Sequence, residues 1–82
     1  MIILSLLEMV ELFRTNVQHH FDAIRIKELL SKEFPKATFH FDLLNKDRLL
    51  RVEGIHVPVS RVVQIIKYEG FYCEVVETRI EP

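Results

Sequence analysis

The segment FRTNVQHHFDAI, residues 13–24, contains side chains that could bind a metal ion. His19 and His20 are adjacent, and Asp22 follows closely. Imidazole and carboxylate ligands together suit zinc, nickel and similar borderline ions. Neighbouring side chains diverge by about 100° on a helix and face opposite ways on a strand, so the two histidines are poorly placed to share one ion. His19 and Asp22, at positions i and i+3, can share a helical face.

A tight metal site needs further ligands, and the sequence identifies none beside this pair. The simpler interpretation is a solvated polar loop before a helix, with Asp22 favoured in the positive first turn. We therefore expect at most weak divalent-metal binding at His19, His20 and Asp22, and we expect no cofactor.

The other reactive groups have structural explanations. Cys73 is in phase with Phe71 and Val75, which predicts a buried small hydrophobe. Because it is the only cysteine, an intrachain disulfide is excluded, and a reducing compartment such as the cytoplasm is expected. With only Gly54 and Gly70 in the chain, there is no glycine-rich phosphate loop, and no serine stands in a nucleophile-elbow context. The sequence predicts a protein that is not an enzyme.

Length and composition indicate one compact domain. The chain has 82 residues, 49% of them hydrophobic and 28% charged, and a net charge of −1. The charges are interspersed without a basic stripe, so no nucleic-acid partner is expected. The apolar start, MIILSLLEMVELF, lacks signal-peptide features and is shorter than the roughly 20 residues of a membrane span, so no membrane partner is expected. We interpret residues 1–8 as an extension that either lengthens the first strand or packs as an ordered arm, or that lies upstream of a natural start at Met9, which we favour. A domain at 9–77 and a tail at 78–82 follow.

Two segments have the periodicity of helices. Residues 20–33 place Ala23, Ile26 and Leu30 on one stripe. Residues 59–68 follow Pro58, precede Gly70 and repeat valine and isoleucine at helical spacing.

Four segments are typical of strands: 9–16, 37–43, 48–54 and 71–77. In the first, Val10 and Leu12 alternate with Glu11 and Phe13. The second and third flank a polar turn at 45–47 and form a predicted β-hairpin.

The predicted order is βαββαβ, with right-handed crossovers. This is the ferredoxin-like α+β arrangement, a four-stranded antiparallel sheet with two helices on one face. The expected core comprises Ile26, Leu30, Phe39, Phe41, Val52, Val62, Ile66, Phe71 and Cys73. The expected open sheet face carries His40, Asp42, Arg51, Glu53, Tyr72 and Glu74.

From Met9 to about Glu77, the chain resembles a heavy-metal-associated domain, the small fold of copper chaperones and metal-transport ATPase modules. The resemblance rests on the strand-loop-helix opening, on the hairpin FHFDLLNKDRLLRVEG and on IIKYEGFYCEV near the end. The family's metal motif is a pair of cysteines, two residues apart, at the start of the first helix. This chain has Val17 and His20 there, or His19 and Asp22 in a shifted register. The resemblance therefore implies a divergent member without the thiolate site.

Three functions remain open. The first and preferred is a non-catalytic module that binds a protein partner or a second copy, through Phe21, Ile24 and the open-face residues His40 and Tyr72. The second is weak metal binding at the His/Asp group. The third is RNA binding, which requires aromatic side chains on the open sheet face; only Tyr72 and Phe13 are candidates there.

Overall fold

The computed structural model describes residues 8–81 of the chain. Six elements follow one another in the predicted order. They are β1 (Glu8–Thr15), α1 (His20–Glu33), β2 (Thr38–Asp42), β3 (Leu49–Gly54), α2 (Val59–Tyr68) and β4 (Cys73–Glu81). Most of the predicted N-terminal extension, residues 1–7, lies outside the described part of the chain.

The four strands form one antiparallel sheet in the order β2-β3-β1-β4. Helix α1 packs against β2, α2 packs against β4, and the two helices contact each other over a shared core. This is the ferredoxin-like α+β fold, and the predicted fold class is confirmed. Neither helix within residues 8–81 is long and apolar enough to cross a membrane.

Both helices begin and end where the sequence indicates. Helix α1 buries Ala23, Ile26 and Leu30, the stripe expected from the periodicity. Helix α2 follows Pro58 and is succeeded by Gly70, whose φ of 93° favours glycine because a side chain is strained there.

Seven of the nine predicted core residues are buried, and Phe41 and Phe71 are partly buried against the same core. The aromatic side chains of β2 face the helices as expected. Phe39 lies opposite Val52, and Phe41 lies opposite Leu50, while His40 alternates to the open face opposite Arg51.

The direction of β1 side chains corrects one expectation. Phe13 is fully buried in the core and pairs with Leu50 on β3, so it is unavailable on the open sheet face. Val10 and Leu12 instead alternate to the open face. Periodicity alone could not determine which side of β1 faces the helices, because the Val10/Leu12 side and the Glu11/Phe13 side each contain an apolar residue.

Strand β4 is longer than predicted. The sequence placed its end at residue 77 and a tail at 78–82, but the strand continues through Glu81 by pairing with the start of β1. The pairing shifts at one point, where Leu12 faces Glu77 and Phe13 faces Val75, so Val76 is an extra residue in a β-bulge. Residues 78–81 are therefore part of the sheet.

The β1 register also buries a carboxyl group. Glu11 is only 3% exposed and lies between Val52 on β3 and Thr78 on β4, on the helix-facing side. Burial raises the pKa of Glu11, because the charged form loses its hydration. The ionised side chain therefore costs free energy of folding.

We predict that Glu11→Gln raises the melting temperature at pH 7. Because the folded-state pKa is raised, the stabilising contribution of wild-type Glu11 is present below its unfolded pKa and is lost as pH rises through the folded pKa. The advantage of the variant should therefore shrink as pH falls toward 4.

Melting curves between pH 4 and 8 measure this effect. Glu8→Gln is the matched control, since Glu8 is exposed on the same strand. Parallel pH profiles for wild type and Glu11→Gln would contradict the prediction.

Candidate interaction site

The connection from β1 to α1 is held by Thr15 and Val17. The Thr15 hydroxyl donates to the Arg48 carbonyl oxygen at 2.6 Å and accepts from the Val17 backbone N–H at 3.2 Å. Val17 is fully buried in the core. In one of the two registers of the predicted resemblance, a cysteine position of the family is thus occupied by a packing residue that cannot bind an ion.

The predicted metal ligands are exposed or partly exposed and do not converge. His19 precedes α1 in extended backbone, His20 is the first helical residue, and both side chains are exposed. Asp22 is partly exposed and pairs with Arg25 at 3.6 Å. Across residues 8–81, no group of three or more histidine, cysteine, aspartate or glutamate side chains is arranged to hold a metal ion.

Cys73 is a buried thiol at the same end of the sheet. It pairs with Thr15 across β1 and β4 and belongs to the core. Desolvation raises its pKa from 9.0 to about 12, which leaves the side chain a neutral thiol at physiological pH. A soft metal would have to displace core packing to reach it.

The structure does bring together two predicted surface residues from different elements. Ile24 on α1 and His40 on β2 line one surface depression of about 230 Å³. His20 on α1 joins them. The remaining lining residues are Ala23, Lys27, Phe41 and Leu43.

An exposed apolar group adjoins this depression. Phe21 follows His20 on α1 and is 86% exposed, while Ile24, one turn later, is 49% exposed. In the β2–β3 connection, Leu43 lines the depression and the next residue, Leu44, is 97% exposed. We call Phe21, Ile24, His20, His40 and Leu43 the α1–β2 surface.

Leu43, Leu44 and Lys27 were not among the predicted surface residues. A signal for Leu44 was present, because a leucine inside a polar turn has little reason to be there for folding. The contribution of Lys27 to the depression depends on how α1 packs beside β2, so the sequence carried no signal for it.

Tyr72 lies apart from the α1–β2 surface. Its backbone N–H donates to Asn16 Oδ1 at 2.8 Å, just before β4 begins. A hydrogen bond to Glu74 raises the pKa of the Tyr72 hydroxyl and lowers that of the carboxyl. Arg14 bonds Glu74 and lies 3.4 Å from Asp47, which makes this end of the open face a network of paired charges.

A second groove runs between the two helices on their outer side. It has a volume of about 430 Å³, and Tyr68 at its edge is 89% exposed. Arg61 crosses it to both carboxylate oxygens of Glu33, and that contact lowers the pKa of Glu33. This groove is more polar in its lining than the α1–β2 surface and is bridged by an ion pair.

Comparison of the chain with protein-family models, curated proteins and solved structures finds no match. The heavy-metal-associated resemblance therefore stays a prediction from sequence.

We predict that the purified protein does not hold Cu(I) tightly, because the thiolate pair is missing and Cys73 is buried. Competition against a standard Cu(I) chelator measures this. Stoichiometric retention of Cu(I) that disappears in Cys73→Ala would contradict it. Any zinc or nickel binding should be weak and should fall in His19→Ala, His20→Ala and Asp22→Ala.

We further predict that Cys73→Ala costs about 1 kcal/mol of stability near neutral pH through a small cavity. The cost should shrink above pH 9, because the wild-type thiol then ionises only in the unfolded chain. A raised folded pKa means that stability is lost as pH rises from 9.0 toward about 12, by at most about 1.4 kcal/mol per pH unit.

Urea unfolding of both proteins at pH 7, 9 and 10 tests this prediction. The variant lacks the thiol, so its stability should fall less steeply with pH. Equal pH slopes would show that Cys73 is solvated in the folded protein.

Proposed function

We propose that the protein is a small non-catalytic binding module whose α1–β2 surface receives an apolar segment of a protein partner. The observation that carries the proposal is Phe21, 86% exposed, beside a depression built from two elements. A large aromatic side chain outside the core contributes nothing to packing, and such side chains are common anchors in interfaces.

The shape and charge of the surface indicate the kind of segment it would bind. The lining of the depression combines the apolar Ala23, Ile24, Phe41 and Leu43 with His20, Lys27 and His40, and contains no carboxylate. An apolar side chain flanked by an acidic residue would complement this arrangement, because the Lys27 ammonium attracts negative charge.

The burial of Val17 and Cys73 supports a binding function over metal trafficking. If the chain is a divergent heavy-metal-associated domain, its fold is kept while Val17, at one of the ligand positions, serves packing. The free, buried Cys73 also agrees with our placement of the protein in the reducing cytoplasm.

A metal function has weaker support. The predicted ligands His19, His20 and Asp22 do not converge, and a stable zinc site needs more ligands than two. We therefore keep divalent-metal binding as an alternative whose test is zinc and nickel binding by wild type and by the alanine variants of His19, His20 and Asp22.

An RNA function also has weak support. Phe13 belongs to the core, so Tyr72 is the one phenylalanine or tyrosine on the open face within residues 8–81. The arginines of that face are paired with acidic neighbours: Arg14 with Glu74, Arg51 with Glu53, and Arg79 with Glu77. A face of paired charges lacks the free cations and stacking platforms that single-stranded RNA needs.

The test is the double substitution Phe21→Ala and Ile24→Ala. We expect the melting temperature to stay within about 3 °C of wild type, because both side chains lie outside the core. Capture from an extract of the source cells, quantified by mass spectrometry, should lose at least one protein that wild type retains.

Tyr68→Ala is the matched control, since Tyr68 is an equally exposed aromatic residue on the other helix. A protein retained by wild type and by this control, but lost with the double variant, supports the proposal. Identical captured sets for all three proteins would refute it, and so would a large loss of stability in the double variant, which would show that the two side chains are core.

A further inference from the structure

Within residues 8–81, the outer edge of β4 is open. Strand β4 is at one end of the sheet order, and its inner edge pairs with β1. Among residues 8–81, no strand pairs with its outer edge. The unpaired N–H and C=O groups of such an edge are a template for a further strand, and at nine residues β4 is the longer of the two edge strands.

Three aliphatic side chains are exposed along this edge strand. Ile80 is 60% exposed, and Val75 and Val76 are exposed as well. The opposite edge, β2, instead presents Thr38, His40 and Asp42 to solvent. The two edges therefore differ in character, and only β4 combines length with exposed aliphatic side chains.

We propose that a second copy of this chain pairs with β4, antiparallel and related by a two-fold axis, to give one continuous eight-stranded sheet. A two-fold pairing places each residue of β4 opposite a residue of β4 in the second copy. The two residue numbers then add up to the same value for every opposed pair. Opposed residues must also project from the same face of the sheet. These two conditions select the register.

The faces of β4 follow from its pairing with β1. Val75 faces the helices because it lies opposite Phe13, and Glu77 is on the open face because it lies opposite Leu12. The bulge at Val76 thus breaks the alternation between them. In a regular strand, two residues project from the same face only when their numbers differ by an even number, so a two-fold pairing requires an even sum of the paired residue numbers. One bulge near the centre shifts the alternation by one residue, and the faces of the pairs that flank it then match when this sum is odd.

The register centred between Val76 and Glu77 matches the faces of every opposed pair in the strand outside the bulge itself. It sets Val75 opposite Thr78 of the second copy, and Cys73 opposite Ile80, on the helix-facing side. The exposed Ile80 would then be covered beside the buried Cys73 of the other subunit.

The charges on the open face are self-complementary in this register. Glu74 lies opposite Arg79 of the second copy, and the symmetry repeats that pair. Glu74 already bonds Arg14, and Arg79 lies 2.8 Å from Glu77, so each new pair would join two existing ion pairs across the interface. A one-residue shift in either direction would oppose residues from different faces and lose this match.

Sedimentation velocity over a concentration series tests the proposal with the full-length chain. Wild type should pass from monomer to dimer as concentration rises. Glu74→Arg and Arg79→Glu should each weaken dimerisation about tenfold or more, because each places like charges opposite one another. Arg51→Glu is the control, since it reverses an exposed charge on β3 away from the edge, and it should leave the dimer intact.

Mixing the two charge variants is the decisive step. In a mixed dimer, both substituted positions face opposite charges, so the Glu74→Arg and Arg79→Glu chains should associate with each other more tightly than either does alone. Melting curves must show that each variant folds, and Arg79→Glu is the safer of the two because Arg79 lies outside the Arg14 network.

Three results would overturn the proposal: wild type that stays monomeric, a dimer that neither reversal weakens, and a mixture that associates no better than its components. None of these depends on the α1–β2 surface. Phe21→Ala with Ile24→Ala should leave sedimentation unchanged, so this inference and the proposed function can fail independently.

Discussion

The structure depends on the position of β1 between β3 and β4. Because β1 pairs on both sides, its register determines which side chains of three strands face the helices. Phe13 lies between Leu50 and Val75, and that alignment centres the core of the sheet. A slip of one residue would carry Phe13 to the open face and bring Leu12 or Arg14 into the core. Thr15 reinforces the register at the far end by bonding the β2–β3 connection.

That constraint also explains a local disadvantage. Glu11 projects from the same side of β1 as Phe13, so the register that buries the aromatic ring also buries the carboxyl group. A fold accepts such a cost when the alternative sacrifices a larger apolar side chain, because burying a phenylalanine contributes on the order of 2 kcal/mol. Thr15 projects from the same side, but its hydroxyl has both a donor and an acceptor partner, so its burial is compensated.

The two proposed surfaces lie at opposite edges of the sheet. The α1–β2 surface belongs to the β2 edge, and the proposed dimer uses the β4 edge. A dimer through β4 would leave both α1–β2 surfaces free at the outer ends of the joined sheet. If both proposals hold, the assembly is bivalent, and a partner with two binding segments would be held more tightly than by either site alone.

Features of the fold could be predicted from the sequence when they depend on residues that are close together in the chain. The limits of α1 and α2, the β2–β3 hairpin and the inward direction of Phe39 and Phe41 follow from periodicity, Pro58, Gly70 and the polar turn. Each is a property of neighbouring residues, and the βαββαβ order then restricts the fold to few arrangements. The sequence likewise predicts a poor metal centre from one cysteine and scattered histidines.

Tertiary structure decided what depends on distant partners. Glu8 to Glu11 extend β4 to Glu81 by pairing with it, and pairing partners 67 to 73 residues apart leave no local signal. The face of β1 was ambiguous for the same reason, since both of its faces carry apolar residues and only the cross-strand alignment distinguishes them. His20, Ile24 and His40 form one surface only because α1 packs beside β2. The sequence determines which chemical groups are present and how they are spaced locally. Which side chains of different elements come together depends on packing, which sums many weak contacts between residues remote in sequence.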